Sequence, residues 1–174
     1  MTHPRLQLLD AEIEARTEAV REHAPAWPCK SGCADCCRSL GAPMLLSAAE
    51  WSRLAEGIDA LPEAEAIRSG MAGMEAAALA GDPVVCPVLD ERGRCRAYLH
   101  RPLPCRIHGY YAAGEGGYWC ETIEARVASG GAEGVVFGRH ELINRAARRE
   151  LGSPLSWSEW QAGLLQAMRG VVEP

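Results

Sequence analysis

The sequence predicts a mainly α-helical protein with a minor β component, in which helices surround a small β-hairpin and an irregular, cysteine-rich core. Three observations lead there. Several stretches of the 174 residues carry apolar side chains at helical spacing between capping residues, prolines or glycines. The stretch from Val84 to Leu99 is apolar and β-branched before a turn sequence and returns after it. Of the eight cysteines, Cys86, Cys95, Cys105 and Cys120 fall in a segment rich in Gly, Pro and Arg, which reads as loop and turn more than as regular structure.

Taken in order, Arg5 to Glu22 places Leu6, Leu9, Ile13 and Val20 on one helical face, and Pro25 and Pro28 prevent its continuation. Met44-Leu45-Leu46 suits a short strand. Ser47-Ala48-Ala49-Glu50 then forms a capping box, so a helix starts at about Ala48 with Trp51, Leu54 and Ile58 facing inward. Pro62 suits the first turn of the next helix, where Ile67, Met71, Met74 and Ala78 share a face up to Gly81; Gly70 and Gly73 weaken its middle. Val84 to Leu89, the turn Asp90 to Gly93, and Arg94 to Leu99 form the predicted hairpin, with Cys86 and Cys95 on its two arms.

Pro102 and Pro104 stiffen the chain before Cys105, and Gly114, Gly116 and Gly117 make a flexible loop leading to Cys120. Val135 to Phe137 suits a short strand and Arg139 to Leu151 a helix. A second capping box, Ser156 to Glu159, opens a terminal helix that aligns Trp157, Trp160, Leu164, Met168 and Val171. It should dock on the core, with a protein-binding face as the alternative. The length suits a single domain over residues 1–174, with a motif core over 25–121 and a helical extension over 122–174.

The formal net charge of −5 argues against general nucleic-acid binding, which needs excess positive charge. Charge interrupts the first apolar run, and no run of about 18 apolar residues occurs, so neither a signal peptide nor a membrane span is expected. A cytoplasmic location follows. In that reducing compartment, clustered cysteines are metal ligands or catalytic groups more often than disulfides.

Cys29, Cys33, Cys36 and Cys37 fall within nine positions as C-x3-C-x2-C-C, and Cys86, Cys95, Cys105 and Cys120 follow singly. Eight thiolates fill two tetrahedral sites or two four-cysteine clusters. The spacing admits zinc or iron, including an iron-sulfur cluster, in one or two centres. Cys36 and Cys37 are consecutive, a poor geometry for closing on one ion, so they should serve two centres or leave one sulfur bridging or outside. Arg92, Arg94, Arg96, Arg101 and Arg106 occupy fifteen positions free of acidic residues. Arg94, Arg101 and Arg106 are expected to support thiolate charge from behind the ligands, with His108 hydrogen bonding and Tyr98 shielding the site. His100 and His108 are alternative ligands.

Cys29-x3-Cys33-x2-Cys36-Cys37, Cys86-Pro87-Val88-Leu89, Gly93-Arg94-Cys95, Tyr98, Arg101-Pro102-Leu103-Pro104-Cys105-Arg106 and Cys120 resemble the YkgJ-like cysteine-cluster proteins. The resemblance covers roughly residues 25 to 121. It implies chelation of zinc or iron by these cysteines and leaves the purpose open. A related cluster in flagellin lysine methylases implies that some relatives are enzymes. This chain has no Gly-rich loop for S-adenosylmethionine. The first expectation is therefore a metal-binding protein with a structural, storage, delivery or redox role. Its rivals are an iron-sulfur or metal-dependent enzyme of protein modification, and an adaptor using the terminal helix.

Overall fold

The computed structural model describes residues 3–40, 44–82, 84–114 and 116–170, with side chains up to residue 167. Among them are eight α-helices and a three-stranded sheet, the mainly helical class with a minor β part that the sequence predicts. Helix α1 (Pro4–His23) buries Leu6, Leu9, Ile13, Thr17 and Val20. Helix α3 (Ala48–Asp59) begins with the expected capping box, the Ser47 and Glu50 side chains each accepting from the other's backbone N–H. Helix α4 (Ala64–Ala80) buries Ile67, Met71 and Met74 and ends at Gly81. Pro62 precedes this helix rather than opening it. The short helices α2 (Asp35–Arg38) and α5 (Leu103–Ile107) carry cysteines, and a 3-10 turn spans Tyr98–His100.

The hairpin is displaced from its expected place. Between Val84 and Leu99 only the single bridge Leu89–Cys95 forms, together with an isolated Leu40–Val84 bridge. Asp90 Oδ1 accepts from the backbone N–H of Arg92 and of Arg94, which curls the chain into a turn before two arms can pair. The real hairpin is β1 (Tyr111–Ala113) with β2 (Gly116–Tyr118), the stretch expected to be a flexible loop. Strand β3 (Gly138–Arg139) adds in parallel to β1, just after the stretch Val135 to Phe137 where a strand was expected. Met44-Leu45-Leu46 contributes one bridge, Leu46 to Leu155, rather than a strand.

Helices α6 (Glu121–Ala128), α7 (His140–Leu151) and α8 (Trp157–Gly170) complete the chain. Trp157 and Trp160 are buried against Trp51, with ring centroids 5.3 and 6.3 Å from it. Leu164 and Leu165 are exposed, so α8 is docked at its start only. Val171 and the side chain of Met168 lie outside the described residues.

The apolar interior divides into two clusters. One joins α1, α5, Tyr110, Tyr111, Ile123 and Ile143, with Cys29 and Cys120 packed against it. The other joins Trp51, Leu54 and Ile58 of α3 with α4, Val84, Val88, Ala97 and α8, and has Cys86 and Cys95 against it. Arg53 of α3 links them by pairing with Asp10 of α1 and donating to the Arg101 carbonyl at 2.6 Å. The cysteines therefore occupy the seam between two separately packed interiors.

Candidate metal centre

The segment 29–38 is the hub of this seam, and three other segments clamp it. Gly32 has φ +90°, a left-handed conformation natural to glycine, and the Cys33 N–H donates to the Lys30 carbonyl, so the chain reverses between Cys29 and Cys33. The Cys86 N–H donates to the Cys37 carbonyl at 2.8 Å, and the Leu40 N–H to that of Val84 at 2.9 Å. This short pairing brings Cys86 alongside the first group across 49 residues of chain.

A second clamp lies at Cys29. Its Sγ donates to the His108 carbonyl at 3.4 Å, and its own carbonyl accepts from the Tyr110 hydroxyl, itself held by Arg21 at 3.0 Å. Gly109 stands between them with φ +84°. A Cβ there would lie 2.9 Å from Cys29 Cβ and 2.7 Å from Ile123, so any larger residue would push the two segments apart. The third clamp is the 2.7 Å hydrogen bond from Thr122 Oγ1 to Asp35 Oδ2, which joins the start of α6, and hence Cys120, to α2.

All eight cysteines are free thiols of intermediate burial. Their protonation shows how closely they are gathered. Burial pushes Cys29 up to about 12, with Cys33 and Cys36 adding to it. Pairing with Cys37, 3.9 Å away, and then burial push Cys36 far above the ordinary thiol range. Burial pushes Cys86 up to about 11, with Cys95 and Cys36 adding to it. Cys105 and Cys95 are raised by burial and again by Cys36; Cys33 is raised by burial, then by Asp35, Cys120 and Cys36. Cys36 thus stands within electrostatic reach of both cysteine sets, and Cys37 and Cys120 join the network through Cys36 and Cys33.

Arg101 is the cationic counterweight. It works against the rise at Cys29, Cys36, Cys95 and Cys105. Its guanidinium lies over the Tyr98 ring at 3.7 Å, and its Nε donates to the Tyr98 carbonyl at 3.1 Å. Arg106 faces away from this group, bonded to the carbonyls of Arg101 and Leu99 with Asp10 3.5 Å distant. Arg94 is largely exposed and pairs with Asp90 at 3.1 Å. His108 meets the Tyr118 ring edge-on at 5.1 Å; burial lowers its pKa, and its buried Nε2 has no hydrogen-bond partner among the described residues.

The donor set suits a soft or borderline cation. Sulfurs at the corners of a tetrahedron about 2.3 Å from a metal are about 3.8 Å apart. The 3.9 Å between Cys36 and Cys37 is close to that edge. Among the described residues, however, no three His, Cys, Asp or Glu side chains form a ready-made metal-holding group. A cation that displaced thiol protons would draw the sulfurs together.

A cavity of about 860 Å³ opens beside this seam, lined on one side by Cys36, Cys105 and Cys120 and on the other by His140, Asn144 and Arg148 of α7. Tyr118 stacks on His140 at 4.4 Å, between the two walls. The sequence reading missed this α7 wall. Its one signal is the spacing of 140, 144 and 148 on a single helical face.

The fold and the site define a helical protein that gathers cysteines from loops and the short helices α2 and α5 into one seam. Residues 28–123 match the family described as "Putative zinc- or iron-chelating domain", whose pattern is CxxCxxCC, and the chain belongs to that family. Here the first gap of the pattern holds three residues rather than two. No curated protein matches the chain, and no solved structure does. No helix among the described residues is long and apolar enough to cross a membrane.

Proposed function

We propose that this chain works as one domain that chelates zinc or iron through Cys29, Cys33, Cys36, Cys37, Cys86, Cys95, Cys105 and Cys120. A reducing, cytoplasmic setting suits it. The single observation that carries the reading is the gathering of cysteines from distant segments around Cys36 and Cys37: Cys86 is tied to Cys37 by a 2.8 Å backbone hydrogen bond, and Cys105 and Cys120 line one cavity with Cys36. Eight thiolates around two divalent cations would leave a local charge of about −4, and Arg101 is placed to offset part of it. Cys29 and Cys120 pack against the first apolar cluster, to which the neighbours of Cys105 in α5 also belong, and Cys86 and Cys95 pack against the second. That division supports two neighbouring centres.

When bound, the metal supplies a fixed cationic crosslink between the two interiors and, if it is iron, a redox couple. A second reading, a redox or metal-dependent enzyme of protein modification, is favoured by the cavity that reaches Cys36, Cys105 and Cys120. Elemental analysis with a visible spectrum of anaerobically purified protein tests both. Stoichiometric zinc in a colourless sample supports structural chelation; a broad visible band bleached by dithionite supports an iron-sulfur cluster. A protein that takes up neither metal overturns the proposal.

A further inference from the structure

We propose that the cavity beside the cysteines is a binding site for a small organic cation, an ammonium group on an apolar stem. Its volume of about 860 Å³ is far beyond what an ion needs and falls in the range of small-molecule sites. Leu40, Met44, Leu45 and Leu103 give an apolar wall for the stem.

The charge of the lining decides the class of ligand. Asp35, Glu50 and Glu121 face one cation, Arg148. Glu50 is spent on Ser47 and the Leu103 N–H. Asp35 keeps one oxygen free of the Thr122 bond, and Glu121 has no partner among the described residues. Tyr118 and Trp119 add aromatic surface of the kind that attracts ammonium. His108, at the inner wall, leaves a buried nitrogen unpaired, which an N–H donor would satisfy. A carboxylate ligand would meet two carboxylates and, in the loaded protein, anionic sulfur. The inference rests on the proposed chelation only for that last contribution; Asp35, Glu121 and the rings act without it.

Isothermal titration of the full-length protein with phenethylamine, phenethyl alcohol and phenylpropionate compares one apolar body under three charges. Phenethylamine should bind at least tenfold more tightly than phenylpropionate. The double variant Asp35→Asn/Glu121→Gln should erase that preference, and Ala147→Phe should weaken binding of all three by narrowing the cavity. Thermal unfolding confirms that each variant folds. Equal or reversed preference in the native protein, or preference retained in the double variant, overturns the proposal. Metal content is measured on the same samples, so failure to hold metal and failure to hold the amine are told apart.

Discussion

Cys36 differs from its seven companions in position rather than chemistry. It is coupled to Cys29 and Cys33 in its own set and to Cys86, Cys95 and Cys105 in the other, whereas Cys120 is coupled to the network through Cys33. Cys36→Ser should therefore remove more bound metal than any other single Cys→Ser change, and Cys120→Ser should leave more than half of it, both read by elemental analysis. Equal losses in the two variants would remove the hub assignment. Arg101 acts on the same sulfurs without ligating. Arg101→Met should weaken zinc about 10-fold or more in chelator competition, the usual effect of removing a group that supports the ligands. Retained affinity would show that its packing on Tyr98 is its whole role. The cysteines and Arg101 were legible in the chain as unusual residue types at unusual density. Arg94 looked equivalent to Arg101, and only the tertiary path shows it turned to Asp90 in solvent.

At the scale of elements, capped and periodic helices were readable because their signals are local, as with Ser47–Glu50 opening α3. The sheet was not. Its strands span two or three residues, too short for alternation to register, and one pairing joins residues more than 25 positions apart. Val84–Leu99 carried the better strand composition, yet the Asp90 carboxylate captured two backbone N–H groups and closed a turn instead. Glu50 has a role beyond its cap, because its Oε1 accepts from the Leu103 N–H at 2.9 Å and so fixes the start of α5, which carries Cys105. Glu50→Ala should cost about 2 kcal/mol or more in urea unfolding, combining a lost cap with a buried donor left unpaired. Trp157→Ala should cost about 3–5 kcal/mol by emptying the ring cluster on Trp51. Leu164→Ala, on the exposed half of α8, should fall within about 0.5 kcal/mol of wild type, and a larger loss would mean that the helix docks along its whole length.

For the whole molecule, the placement of the cysteines between two apolar clusters separates two kinds of stability. Each cluster buries its own large side chains, Leu6, Ile13 and Ile107 in one and Trp51, Ile58 and Met71 in the other, so neither needs metal to exclude water. Among the described residues, the links between them include the Arg53 contacts, Glu50 to Leu103, the hydrogen bonds of segment 37–40 to 84–86, and Ala49 of α3 packed against the first cluster. A bound cation would add crosslinks across the seam, where the buried thiols otherwise hold their protons. Stripping metal with a chelator should therefore preserve most of the far-ultraviolet helical signal. The single thermal transition of the loaded protein should drop in midpoint and split into two, because the clusters would then melt apart. Loss of the helical signal on chelation would instead mean that the metal organises the helices themselves, as in small zinc-dependent folds. The same titration in Cys36→Ser should show the split before any chelator is added, since that substitution removes the sulfur that both sides share.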